Sequence, residues 1–593
     1  MELPRLQSRG VSSMVLRRMM FVLLVIFSLS TVSATSLETP SAEPLDAASP
    51  ASPAATNAYT MRAGFPATKP NGSYFSSPTV VDLFKDGSPE ILSADATGCI
   101  WGYNIYGQLL PGFPWMTGGA CANTPRINGS LVVADINEDG LLEIVVGTRG
   151  KGTSVGQRGK VIVYQRNGAI LSGWPKEMEW AYITNGNFPE VVHVAVDDII
   201  GDSKLEVIAT TTNEAGSNTD YAPNVHAWYY TGNVVTGYPK SSDKGSGIWG
   251  HPALADLDNN GKSEIFVGRD ELYFYRYKND GTQYAGWPIQ TYTHVNQTTW
   301  NVHDYIEFTR SGPAIADLDN DGSYEVIAAG KVRTPDGDPH NNYDPQSASA
   351  VFVTEPDGTR RPGWTDAKRA GAPLDVNFTP NNPIVVADLD GNGEKEFVVT
   401  FDDGTIRAYR ENGTQIWSYF YAEEPVQGAP TRKVFGSEVV IADVTGDRKL
   451  DIVFGTYSFD RLYAGIVGLY ALDARNGALH SGFPLSLPNE GTASDNSAGS
   501  QKGIQAAPTI SDIDNNCYVE ILAHSRAGNI YVWETLGRNL PELMPWPMSR
   551  QNLQRTAWVQ NPPEPRQHVF APEQIQGGDF NVYLPMTRMG CDF

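Results

Sequence analysis

In "SLVVADINEDGLLEIVVG", Ser130 to Gly147, one short apolar run leads into an acidic turn and a second leaves it. Runs of this length, rich in β-branched residues and bounded by Gly, Asn and Asp, predict strands rather than helices. Downstream, "GKVIVYQRNGAILSGWP" gives an alternating run, a Gly-bearing turn, and a short run closing on an aromatic residue and Pro. The unit is therefore four short strands: one before the acidic turn, one after it, then a hairpin. Its acidic turns begin at Asp82, Asp135, Asp198, Asp256, Asp317, Asp388, Asp443 and Asp512, a repeat of about 60 residues with insertions.

Four antiparallel strands repeated radially make a β-propeller, which leaves few edges open. The expected fold is all-β, a propeller of eight four-stranded blades. Seven blades is the alternative, because the first and third copies are worn. "AGFP", Ala63 to Pro66, resembles a closing strand placed before any blade begins and is read as part of the ring's closure. "GNIYVWETLGRNLPELMPWP", Gly528 to Pro547, reads as the hairpin of the last blade.

Composition agrees: of 593 residues 41% are hydrophobic and 10% aromatic, with 58 Gly and 40 Pro, a strand-and-turn bias. Arg5, Arg9, Arg17 and Arg18 precede the apolar run "MMFVLLVIFSLS", and "VSA" offers a cleavage site after Ala34, the order of parts in an export signal. That run is shorter than the ~20 residues a spanning helix needs. The domains expected are a signal peptide over 1–34, a disordered Pro/Ala/Ser-rich spacer over 35–60, the propeller over 61–558, and a C-terminal tail with a short terminal strand over 559–593. The protein is expected outside the cell, secreted or surface-associated, as a monomer with no transmembrane segment after signal cleavage.

Residues 1–34 hold four Arg and one Glu, so their removal takes the formal charge from -23 to -26. A chain this acidic lacks the basic patch that nucleic acid requires. Among Cys99, Cys121, Cys517 and Cys591, Cys99 and Cys121 are the expected pair because they flank one repeat's end, and an extracellular setting permits a bridge.

The strongest copies place Asp first, Asp or Asn third, Asp or Asn fifth, Gly sixth and Glu ninth. Carboxylates about 4 Å apart repel by roughly 1 to 4 kcal/mol per pair, so the turns call for a cation. Calcium suits them, since it accepts six to eight oxygens with loose geometry, and Gly permits the sharp bend. An EF-hand is excluded: its twelfth position needs Glu, and here stand Val146, Val267, Ala328, Val399 and Ala523.

On these turns, and on "VFGSEVVIADVTGDRKLDIVFG" with its Phe-Gly opening and closing "FG", the chain resembles the FG-GAP or VCBS repeat family, the blades of integrin α-subunit propellers and of many secreted bacterial proteins. The resemblance implies calcium in the turn joining the first two strands of a blade. Position by position it implies five full ligand sets: Asp135, Asn137, Asp139, Glu143; Asp256, Asp258, Asn260, Glu264; Asp317, Asp319, Asp321, Glu325; Asp388, Asp390, Asn392, Glu396; and Asp512, Asp514, Asn516, Glu520. Cys517 replaces Gly in the last set. Phe84, Ile200 and Thr445 hold the third position elsewhere, so Asp82, Asp198 and Asp443 head up to three weak sites.

No catalytic residue is assigned. "GTSVG", Gly152 to Gly156, matches G-x-S-x-G but lacks the strand-to-helix setting a nucleophile elbow needs. Strand alternation puts the acidic turns on one face and the long insertions on the other. Extra loop length on one face is how a rigid scaffold carries recognition. That face, with Trp180, Tyr182, Trp249, Trp300, Tyr305 and Tyr343, is expected to bind a glycan or an extracellular protein, making the chain an adhesion module. The alternative is a propeller enzyme on polysaccharide resembling rhamnogalacturonan lyases, with His303, Asp304, Arg310 and His340 as the candidate cluster.

Overall fold

The computed structural model describes residues 59–69, 76–117, 121, 125–150, 158–178, 189–212, 223–241, 247–269, 272–294, 304–308, 311–333, 349–371, 374, 383–422, 434–458, 467–490 and 502–560. They form eight antiparallel sheets of four strands, two of them extended by added strands, and one 3-10 turn at Pro541–Leu543. The eight-blade expectation holds, and the seven-blade alternative falls.

Blades 1 to 8 open on Thr79–Val81, Val132–Ala134, Val191–Asp197, Ala253–Ala255, Ala314–Ala316, Ile384–Ala387, Val434–Ala442 and Thr509–Ser511. Each of these strands pairs with the strand that follows its acidic turn, as Ala314–Ala316 does with Glu325–Arg333 in blade 5. The innermost two strands of each blade are almost wholly buried. They read as continuous apolar runs because adjacent blades cover both of their faces.

Blade 8 is assembled from both ends of the domain. Its third strand, Asn529–Arg538, pairs with Ala67–Thr68, which follows directly on "AGFP". Closing a ring with the first strand of the chain removes the edge that a last blade would otherwise leave open. Gly64 stands at φ +94, and a Cβ there would lie 2.1 Å from the Tyr106 carbonyl oxygen of blade 1. Gly173 meets Thr231 of blade 3 in the same way, at 2.1 Å, so the N-terminal motif packs as a true member of the ring.

The expected hairpin over 528–547 is corrected by this arrangement. "PELMPWP" is not the outer strand of blade 8. It begins a segment that lines the inner strands, and the physical reason is that the outer position is already taken by Ala67–Thr68. Ile441, Ile510, Val133, Val196, Leu254 and Ile315 donate their N–H groups to the carbonyls of Trp546, Pro547, Leu553, Gln554, Thr556 and Ala557, at 2.8 to 3.1 Å. Every donor sits two residues before its blade's first turn Asp. The segment thus visits blades 7, 8, 2, 3, 4 and 5 in ring order. Trp558–Val559 then joins blade 5 as a parallel strand on Ala314–Ala316.

Two buried arginines hold this segment. Arg550 donates to the Gly312 carbonyl at 3.2 Å and to that of Pro313, while its own N–H reaches Glu438 at 3.1 Å. Arg555 donates to the Leu131 carbonyl and to Thr79 Oγ1, each at 3.0 Å. Burial lowers both guanidiniums to about 10, and Glu438 is what draws them back up.

Cys99 and Cys121 are joined by a disulfide, as expected. Cys517 is disulfide-bonded as well. The expected signal peptide, most of the spacer, and the tail beyond residue 560 also lie outside them. No helix among the described residues is long and apolar enough to cross a membrane.

Candidate metal turns

All eight acidic turns share one backbone. The fourth position has positive φ in every blade, at Lys85, Glu138, Gly201, Asn259, Asn320, Gly391, Gly446 and Asn515. So does the sixth, which is Gly in five blades but Ser203, Arg448 and Cys517 in the others. The worn copies are worn in their side chains and not in their path.

Two carboxylates hold that path. In blade 5, Asp317 accepts the N–H of Asp321 at 3.1 Å and of Gly322 at 3.0 Å, one on each oxygen. The ninth residue, Glu325, accepts the N–H of Leu318 at 2.7 Å. The second of these patterns recurs in all eight blades, from Glu90 on Leu83 to Glu520 on Ile513. First and ninth positions therefore have a duty to the turn itself, with or without an ion.

What remains points into the turn. Ligand atoms of Asp256, Asp258 and Glu264 lie within 4.8 Å of one another, as do those of Asp317, Asp319 and Glu325, of Asp388, Asp390 and Glu396, and of Asp512, Asp514 and Glu520. Burial pushes Glu143, Glu206 and Glu325 up to about 8 and Glu396 to about 7. Among the described residues no hydrogen is donated to the buried acceptors Asp319 Oδ1, Asp514 Oδ1 and Glu206 Oε1. An oxygen in that state lacks positive charge. The donor set is all oxygen, hard and flexible, which fits calcium better than a softer metal.

In blade 2, Asp135, Asn137, Asp139 and Glu143 hold the same positions, with the neutral Asn137 at the third accepting the Asp139 N–H at 2.9 Å. Asn260, Asn392 and Asn516 occupy the fifth position of blades 4, 6 and 8, and Asp321 that of blade 5. Phe84 and Ile200 pack into the apolar cores of blades 1 and 3, so the third position carries no side-chain oxygen there.

Sequence reasoning missed the partners of these turns. Arg361 donates to Asp319 at 2.5 Å and stands 3.1 Å from Glu325. Arg410 bridges Asp390 at 2.7 Å and Glu396 at 3.0 Å. Tyr284 Oη stands 2.9 Å from Asp258 and 2.8 Å from Glu264, its one hydrogen lying between the two carboxylates, and Arg276 donates to Glu264 at 3.1 Å. Arg62 donates to Asp514 at 3.0 Å and stands 4.0 Å from Glu520.

The bounds of the flanking strands put the long insertions on the opposite face, at the connections from second to third strand and from fourth strand to the next blade. Of the aromatic residues expected there, Trp249 is half-buried and Tyr305 is buried. Trp180, Tyr182, Trp300 and Tyr343 lie outside the described residues, as do Ser154, His303, Arg310 and His340. Asp304 is held by Arg369 at 2.6 Å.

An eight-bladed ring with an acidic turn between the first two strands of every blade defines an FG-GAP-type β-propeller. The model of the FG-GAP-like repeat matches residues 347–454, which span blades 5 to 7. No curated protein matches the chain. Among solved structures it is similar to the V. cholerae biofilm matrix protein Bap1, at 14% identity and a TM-score of 0.44, covering 84% of this chain and 96% of that one. It is also similar to the exotype rhamnogalacturonan lyase YesX, at 14% identity and a TM-score of 0.47, covering 83% and 80%. The Bacillus licheniformis rhamnogalacturonan lyase PL11 stands at 14% identity and 0.44, covering 84% and 80%.

Proposed function

We propose that this chain is an exported, calcium-stabilised propeller whose long-loop face binds a glycan or an extracellular protein. The observation that carries the reading is the segregation of duties between two faces: acidic turns on one, every long insertion on the other. The five ligand sets named above would hold the calcium, which supplies positive charge to oxygens the fold leaves without a donor. With the inner strands engaged by residues 546–557, recognition falls to the loops. Asp304, the one member of the polysaccharide-enzyme alternative's cluster among the described residues, is paired with Arg369 at 2.6 Å.

Two measurements test the proposal. Chelation should lower the melting temperature and added calcium restore it, because an ion that binds only the folded state stabilises it by mass action. A glycan array and a polysaccharide-degradation screen on the calcium form should then yield a ligand. Replacing residues 334–348 by a short Gly-Ser link should abolish binding with melting unchanged. Undiminished binding by that variant would refute the loop-face reading, and depolymerised product would favour the enzyme.

A further inference from the structure

One position of the hairpin decides what faces each acidic turn. It is the residue two places before the closing Gly: Leu110, Leu171, Val235, Tyr284, Arg361, His480 and, in the N-terminal motif that completes blade 8, Arg62. The backbone equivalence is direct. Leu110, Leu171, Val235, Tyr284, Arg361, His480 and Arg62 each donate N–H to the third strand of their blade, at Gly102, Val163, Ala227, Arg276, Val353, Ala471 and Val532. In blade 6, which lacks the closing Gly, Arg410 at the end of the third strand takes the role.

The side chains divide in two. Leu110, Leu171 and Val235 pack into the apolar cores of blades 1 to 3. Tyr284, Arg361, Arg410 and Arg62 instead join the third-position Asp to the ninth-position Glu of blades 4, 5, 6 and 8. His480 reaches the ninth-position Asp451 of blade 7 at 2.6 Å. Each third-position Asp of the ring, Asp258, Asp319, Asp390 and Asp514, has such a donor. Among the described residues no such donor reaches Asn137 of blade 2, although its turn carries all four positions of the expected set.

We infer that this donor sets how strongly each turn depends on its cation. A guanidinium or phenol tethered across two carboxylates keeps them from repelling, so the turns of blades 4, 5, 6 and 8 hold their shape when calcium is withdrawn. The donors offset only part of the burial cost, which leaves those turns able to take the ion as well. Blade 2, with Leu171 opposite Asp135, Asn137, Asp139 and Glu143, and with Lys85 of blade 1 donating to the Gly140 carbonyl and not across the third and ninth positions, is the turn that depends most on calcium to stay ordered. The inference rests on the calcium reading proposed above.

Hydrogen exchange of the full chain, with calcium and then with chelator, tests it, with bound calcium measured by elemental analysis on the same samples. Chelator should speed exchange across 135–143 by about tenfold and across 317–325 by no more than about twofold, since local opening free energies are read peptide by peptide. Arg361→Leu, which copies blade 2, should render 317–325 as calcium-sensitive as 135–143. Tyr284→Phe, which keeps the ring and leaves Arg276 on Glu264 at 3.1 Å, should raise the calcium sensitivity of 256–264 by a smaller factor. Bound calcium with equal sensitivity of 135–143 and 317–325 in the wild type overturns the inference, as does a variant turn that exchanges no faster than wild type in chelator. Absence of bound calcium refutes the calcium reading instead, and the inference goes with it.

Discussion

Blades 1 to 3 and blades 4 to 8 are built on one turn and differ in what stands opposite its carboxylates. In the first set the facing residue is aliphatic and completes a core; in the second it is a hydrogen-bond donor and completes an ion pair or its neutral equivalent. The backbone of the turn is indifferent to the choice, since both sets share the left-handed fourth and sixth positions and the bond from ninth residue to second. Identical local geometry can therefore sit in different electrostatic surroundings, and a repeat family matched by its turn motif alone will not reveal which.

The segment along the inner strands respects the same division. Arg550 serves carbonyls leading into blade 5 and lies beside Glu438 of blade 7, whereas Arg555 serves blades 1 and 2. The largest effect is expected from Arg550→Leu. It strips the buried Glu438 of the charge that most offsets its burial and removes the guanidinium bonds to the Gly312 and Pro313 carbonyls, a loss on the order of 3–5 kcal/mol. Denaturant titration would show it, and Glu438→Gln should recover part. Exchange loosened first in blades 5 and 7 would sharpen the comparison, and loosening spread evenly round the ring would break it.

A smaller effect is expected at the seam where blade 8 meets blade 1. Lys69, fully buried, donates to Ser93 Oγ at 3.0 Å and to the Ala94 carbonyl at 3.1 Å, beside His524 Nδ1 at 3.4 Å. Burial lowers it to about 7 against the pull of Asp95, while burial keeps His524 well below its usual range and therefore neutral. Between about 7 and 10.5 the unfolded chain holds a proton on Lys69 that the folded chain releases. Stability should then rise with pH across that window, by up to about 1.4 kcal/mol per unit from this group. Lys69→Met should flatten the curve. An unchanged slope would show that the lysine is charged in the seam.

The smallest effect concerns the turns themselves. Ser203 in blade 3 and Arg448 in blade 7 hold φ of 71° and 63° where most copies have Gly. Ser203→Gly and Arg448→Gly should each raise stability by roughly 0.5–1 kcal/mol, because only Gly adopts that conformation without a Cβ penalty. Equal gains would confirm that the two sets share a backbone, and a gain confined to one would set them further apart.

Much of this was legible from the residues. Eight acidic turns at a long period dictate eight blades, and "AGFP" betrays the closing strand because it copies the Gly-aromatic-Pro ending of other hairpins. The facing donors were not legible, since Arg361 lies in a hairpin turn far along the chain from Glu325 and looks like any solvated arginine. The inner segment was still less so. Residues such as Trp546, Leu553, Gln554 and Thr556 have no periodicity, and it is their backbone carbonyls, which no sequence pattern marks, that meet the blades.

The closure of blade 8 also sets an order of events. Ala67–Thr68 leaves the ribosome before the first blade is made, yet its partner strand, Asn529–Arg538, arrives only after seven blades. Pairing across such a span is slow, and domains otherwise tend to fold as they are made. The nascent chain must therefore carry an unmatched strand through most of its own synthesis. A ribosome stalled before residue 529 should hold seven blades and a loose end that proteases find, and one released past residue 559 should hold neither.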